Sequence, residues 1–165
     1  MFQNQVYINP AQAVPGDFAS TNPTIFKLSG AGKCVADSSG VTVGRFAVLN
    51  ATGTVTSIPG SAPGATRLGF VHRENNAQIV TYLAESGNTI QPGQAVSLFG
   101  KGDFFINADA VTSAPVRGAV VAWDYTTGLV NIGAVIAGTL VDTGYVLLSE
   151  TASAGQTVII GNTGA

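Results

Sequence analysis

The chain has 165 residues, enough for one domain with a sizeable core, and a formal net charge of -2. Its seven Lys and Arg are scattered as Lys27, Lys33, Arg45, Arg67, Arg73, Lys101 and Arg117, so no cluster can neutralise several phosphates, which argues against nucleic-acid binding. The longest apolar run, Gly133 to Val141, is too short to span a bilayer, and the single Cys34 allows no intramolecular disulfide framework.

Charged residues are 10% of the chain, against roughly 25% in a typical soluble domain. Gly, Ala, Ser, Thr and Asn take their place. Such a surface has little charge to hold molecules apart and suits a subunit that ends up packed in an assembly. A neutral extracellular β-domain would have the same composition.

The first twenty residues, MFQNQVYINPAQAVPGDFAS, contain no Lys, Arg or His. Phe2, Val6, Tyr7, Ile8, Val14 and Phe18 scatter apolar groups through them, and Pro10 and Pro15 break any regular element. Without a positive start or a continuous apolar run the segment does not read as a secretory signal. It carries too little charge to be disordered by composition. The expectation is an extended, uncharged arm over residues 1–23 that needs a surface to lie on, followed by a single β domain over 24–165. Residues 1 to about 20 are expected to leave that domain and pack on another chain.

From residue 24 onward the periodicity is that of strands. Val41, Val43, Arg45 and Ala47 alternate with smaller or polar partners, and Val96, Leu98, Phe104 and Ile106 follow the same pattern. Only Asn76 to Ser86 competes as a helix, and its Ile79, Val80, Thr81 and Tyr82 favour a strand. A weak repeat places paired glycines nine or ten residues apart, at Gly44 and Gly53, Gly93 and Gly102, and Gly118 and Gly128. A degenerate fourth copy runs from Gly144 to Ile160. Each copy reads as a hairpin whose turn needs a glycine. The predicted fold is all-β, a compact barrel or sandwich of hairpins with an extended N-terminal arm.

Reactive chemistry is sparse. His72 is the sole His and Cys34 the sole Cys, so one chain cannot build a His-based metal cluster. His72 and Glu74 share a strand face and read as a surface hydrogen-bonded pair, and Cys34 reads as a passive thiol. Leu28 to Cys34 has two close glycines before Lys33 but not the spacing of a phosphate loop. Asp103, Asp109 and Asp124 lack calcium-loop spacing. No catalytic residue, metal or cofactor is expected, and the chain does not read as an enzyme. Trp123 and Tyr125 lie on one face of a strand that ends at a turn, as in some sugar-binding sites. Core or interface anchoring is the commoner role for such rings.

MFQNQV at the start, INPAQAVPGDFAS from Ile8 and TNP at Thr21 to Pro23 resemble the opening of tailed-bacteriophage capsid cement (decoration) proteins. A looser likeness continues through VTVGRFAV (Val41 to Val48), GFVHRE (Gly69 to Glu74) and TYLAESG (Thr81 to Gly87). The resemblance implies a virion structural protein on the outer capsid surface, tying major capsid subunits together. It implies a symmetric homo-oligomer, with a trimer as first choice and a dimer as the alternative. It also implies that Phe2, Val6, Tyr7, Ile8, Pro10, Val14, Pro15 and Phe18 contact the capsid. The competing reading is a receptor- or carbohydrate-binding β module using Trp123 and Tyr125.

Overall fold

The apolar runs form short strands throughout the computed structural model, which describes residues 13–27, 33–64, 67–73 and 88–162. They are β1 (Ile25–Phe26), β2 (Val35–Ala36), β3 (Val41–Thr42), β4 (Phe46–Leu49), β5 (Thr54–Thr56), β6 (Leu68–Val71) and β7 (Thr89–Ile90), then β8 (Leu98–Lys101), β9 (Asp103–Asn107), β10 (Ala110–Val111), β11 (Val120–Asp124), β12 (Val130–Ile132), β13 (Leu140–Leu147) and β14 (Thr157–Gly161). Among the described residues there is no helix. Asn76 to Ser86, the one helix candidate, lies outside them, as does most of Leu28 to Cys34.

Two six-stranded sheets run β1-β8-β6-β4-β5-β2 and β10-β12-β11-β13-β14-β9, and β3 and β7 form a separate ribbon. Neighbours pair antiparallel except β2 with β5 and β10 with β12. The sheets face each other. Phe70 of β6 stacks on Phe104 of β9 with ring centroids 4.3 Å apart, and Phe46 of β4 meets Tyr145 of β13 edge-on at 5.4 Å. The fold is all-β, as expected, with a sheet that curls into a half-barrel.

Alternation along β4 divides its side chains between two cores. Phe46 and Val48 enter the main core between the sheets, with Phe99, Trp123 and Ile160. Ala47 and Leu49 point the other way, into a smaller core that the β3–β7 ribbon closes with Val41 and Ile90. The centre of the first sheet, β4 and β6, is therefore buried on both faces. This explains why β6 is buried at every residue and carries no polar face. Each large side chain so enclosed contributes about 1.5–3 kcal/mol of transfer free energy.

Two hairpin expectations need correction. The run Val41 to Val48 is two strands, not one. Gly44 takes a left-handed backbone (φ 72°) and turns the chain from the β3 ribbon into the first sheet. The copy bounded by Gly93 and Gly102 is not a hairpin either, because β8 and β9 belong to different sheets. A tight hairpin needs at least a two-residue loop, and only Gly102 lies between these strands. The chain crosses between the sheets there instead. A Cβ at Gly102 would fall 2.7 Å from the Phe104 ring. The copies at Gly44–Gly53, Gly118–Gly128 and Gly144–Ile160 do return as antiparallel pairs, β4–β5, β11–β12 and β13–β14.

Candidate functional site

The described part of the N-terminal segment, from residue 13, lies along the β9 edge of the second sheet. The Gly16 amide donates to the Phe105 carbonyl at 2.8 Å, and the Phe105 amide donates back to Asp17 at 3.0 Å. The Ala19 amide donates to the Asp103 carbonyl at 2.8 Å, and Phe18 bridges to Phe104. On its other side the Gly16 carbonyl accepts from the Arg73 amide at 2.9 Å and lies 2.7 Å from His72 Nδ1. Residues 16–19 are thus held between β9 and the end of β6. For residues 16–20 the surface that receives the segment is the chain's own, because β9 would otherwise be an open edge.

Gly16 is required by this geometry. Its φ is 101°, and a Cβ there would sit 2.7 Å from Val43 Cγ1 and 2.9 Å from Arg73 Cβ. Beyond it, Ser20 Oγ and Asn22 Nδ2 donate to Asp103 Oδ2 at 2.7 and 2.6 Å. Asp103 is the buried charged residue of the described core, 4% exposed at the start of β9. Hydrogen bonds to a charged acceptor each stabilise by about 1.5–3 kcal/mol, enough to hold residues 20–22 against the start of β9. Burial, helped by the nearby Asp103 carboxylate, pushes the Tyr145 hydroxyl well above the ordinary tyrosine range.

Among the sequence-predicted contact residues, Val14 and Phe18 are exposed at 45% and 41%, and Pro15 is half-buried against Gly44. Phe2, Val6, Tyr7, Ile8 and Pro10 lie outside the described residues. Phe18 packs on His72 with centroids 4.0 Å apart, and on Phe99 and Phe104 at 5.4 Å each. Sequence reasoning missed Gly16, Ser20, Asn22 and Asp103 as the anchor. The available signal was an aspartate opening an otherwise apolar strand, which must find donors if it is buried.

The other candidates stay apart. His72 bonds Gly16, and Glu74 lies outside the described residues. Cys34 is half-buried, and burial raises its thiol pKa, which disfavours the reactive thiolate. Asp109 pairs with Arg45 and accepts from the Val130 amide. Asp124 caps its own turn through Thr126, and Asp103 holds Ser20 and Asn22. Among the described residues no three metal-ligating side chains come together. Trp123 cannot be a sugar platform: it is 0% exposed in the main core, and the half-buried Tyr125 packs against that core. Packing a large ring between two sheets outweighs presenting it to solvent.

Comparison with known proteins places this chain among phage capsid-associated proteins. A model of the XM1 gp53 minor capsid protein family matches residues 2–162, and the chain belongs to that family. Among solved structures, a chain of "The capsid of Myoviridae Phage XM1" superposes with a TM-score of 0.67 at 17% identity, covering 98% of this chain and 96% of that one. That likeness is one of fold. No curated protein sequence matches.

Proposed function

We propose that this protein is a capsid cement protein, a non-enzymatic subunit on the outer face of the phage shell that binds the major capsid protein and ties neighbouring subunits together. The observation that carries the reading is the fixed docking of residues 16–20 on β9, which leaves Val14 and Phe18 exposed beside the origin of an apolar, uncharged arm. Phe2, Val6, Tyr7, Ile8, Pro10, Val14, Pro15 and Phe18 supply the contact. The family supports a capsid role, and the packed sheets supply a body on which residues 16–20 are held. Binding only the mature lattice stabilises that lattice by mass action. Many copies, each bridging subunits, add their effects without any one tight contact. A symmetric homo-oligomer, a trimer at local three-fold positions in the first instance, matches that job. The carbohydrate-binding alternative loses its platform with the burial of Trp123.

The test is mechanical. Particles lacking the protein should assemble heads yet release DNA at a lower temperature or under milder osmotic shock. Adding purified protein should restore resistance and saturate at a fixed number of copies per capsid. Depleted particles as resistant as complete ones would overturn the reading.

A further inference from the structure

The base of the N-terminal segment is bonded to both sheets at once. On one side, residues 16–19 add to β9 of the second sheet through the Gly16, Phe105 and Ala19 amides. On the other, the Gly16 carbonyl accepts from the Arg73 amide at 2.9 Å and meets His72 Nδ1 at 2.7 Å. His72 and Arg73 directly follow β6 of the first sheet. The Phe18 ring covers the same seam, with its centroid 4.0 Å from that of His72 and 5.4 Å from those of Phe99 and Phe104.

The direction of the segment matters as much as its contacts. Gly16 bonds Phe105 and Ala19 bonds Asp103, so the segment runs antiparallel to β9. β14 flanks β9 on its other side and is antiparallel too, with Thr157 opposite Asn107 and Gly161 opposite Asp103. The segment therefore enters toward the Asn107 end of β9, whereas β14 finishes at the Asp103 end. Tension between the two acts along the strands, in opposite directions on the two sides of β9. Antiparallel hydrogen bonds lie across that direction, so the Gly16, Phe105 and Ala19 bonds share the load. Behind them, Ser20 and Asn22 donate to the Asp103 carboxylate at 2.7 and 2.6 Å, bonds of the stronger, charge-assisted kind. Tension applied from the Asn107 end alone would instead open the bonds one at a time, starting at Gly16.

We propose that residues 16–22 are a mechanical clamp: pulled from the N-terminal side, they hold to both sheets until the body itself unfolds. The source of the force rests on the cement reading, since a subunit attached to the shell through residues 1–12 is pulled when the shell expands. The clamp is a property of the single chain and is tested without capsids.

The experiment stretches the full-length protein, carrying Cys34→Ser, between single-molecule handles. One handle is at the N-terminus, and the other is at the C-terminus or at Ala154→Cys. Ala154 is exposed in the turn before β14, at the Asn107 end of β9, where the Gly155 amide donates to Ala108. With N- and C-terminal handles the segment should stay docked and the chain should unfold in one step. With the handle at position 154 a short release, about 3.3–3.6 Å for each freed residue, should come first and at lower force. Ser20→Ala with Asn22→Ala removes both side-chain donors, and the early release should then appear with N- and C-terminal handles as well. Early release at the same force with both handle pairs would overturn the clamp and leave the cement reading standing. A double variant that holds as wild type does would also overturn it. A clamp that behaves as expected in a protein that does not pellet with expanded capsids would remove the cement reading alone.

Discussion

The buried carboxylate of Asp103 accepts a 2.7 Å hydrogen bond from Ser20, 83 residues earlier in the chain. Asn22 donates to the same oxygen, so one side chain at the start of β9 ties down the end of the N-terminal segment. Asp103→Ala should remove the acceptor of both bonds and leave Ser20 and Asn22 to solvent, at a cost of about 1.5–3 kcal/mol per bond. Amide hydrogen exchange over residues 17–23 should accelerate far more than exchange in β11 or β13. Asp103→Asn keeps one acceptor oxygen and should lose less. Uniform acceleration across the whole domain would show that Asp103 supports the core and not the segment.

Gly16 makes a sharper demand. Ala there must adopt a φ of 101° and place its Cβ against Val43 and Arg73, so Gly16→Ala should destabilise by more than about 1 kcal/mol in urea unfolding. Gly60 is the matched control, with φ 70° but no atom within 4 Å of where a Cβ would sit. Gly60→Ala carries the backbone cost alone and should be the milder change. Equal losses at both sites would mean that the close approach of Gly16 contributes nothing.

What could be read from the residues was local. β-Branched and aromatic runs bounded by Gly identified the strands, and Gly53 and Gly128 marked returning turns because only a local backbone conformation was at issue. Gly102 misled for the opposite reason: whether a glycine closes a hairpin or passes the chain to a second sheet depends on partners far away in sequence. Burial on both faces at the centre of the first sheet hid the orientation of β4, since Phe46 and Ala47 are equally apolar and enter different cores. The candidate segment was legible through Val14, Pro15 and Phe18. Its anchor was not, because the donors at Ser20 and Asn22 and the acceptor at Asp103 are joined only by the fold.

The junction between the sheets should be the most sensitive part of the core. Phe70 contacts Phe46 within its own sheet and Phe104 across the interface. Phe70→Ala should cost about 3–5 kcal/mol, a large share of the roughly 5–15 kcal/mol that holds a domain together. Chemical denaturation of the variant against wild type measures this directly. A loss below about 1 kcal/mol would mean that the two sheets are not coupled through this stack.

Two truncations separate the arm's binding role from the structural role of its base. Removing residues 1–12 leaves every hydrogen bond between residues 16–22 and the body in place. The shortened protein should therefore melt close to wild type while losing most capsid binding. Removing residues 1–20 also deletes the Gly16 and Ala19 backbone pairs, the Ser20 donor and the Phe18 ring over Phe99 and Phe104. That truncation should lower the melting temperature as well, because β9 regains an open edge and two buried rings lose their cover. Thermal melts paired with capsid pelleting distinguish the cases. Undiminished binding after removal of residues 1–12 would assign capsid attachment to the body alone, and an unchanged melt after removal of residues 1–20 would show that the docked base contributes no stability.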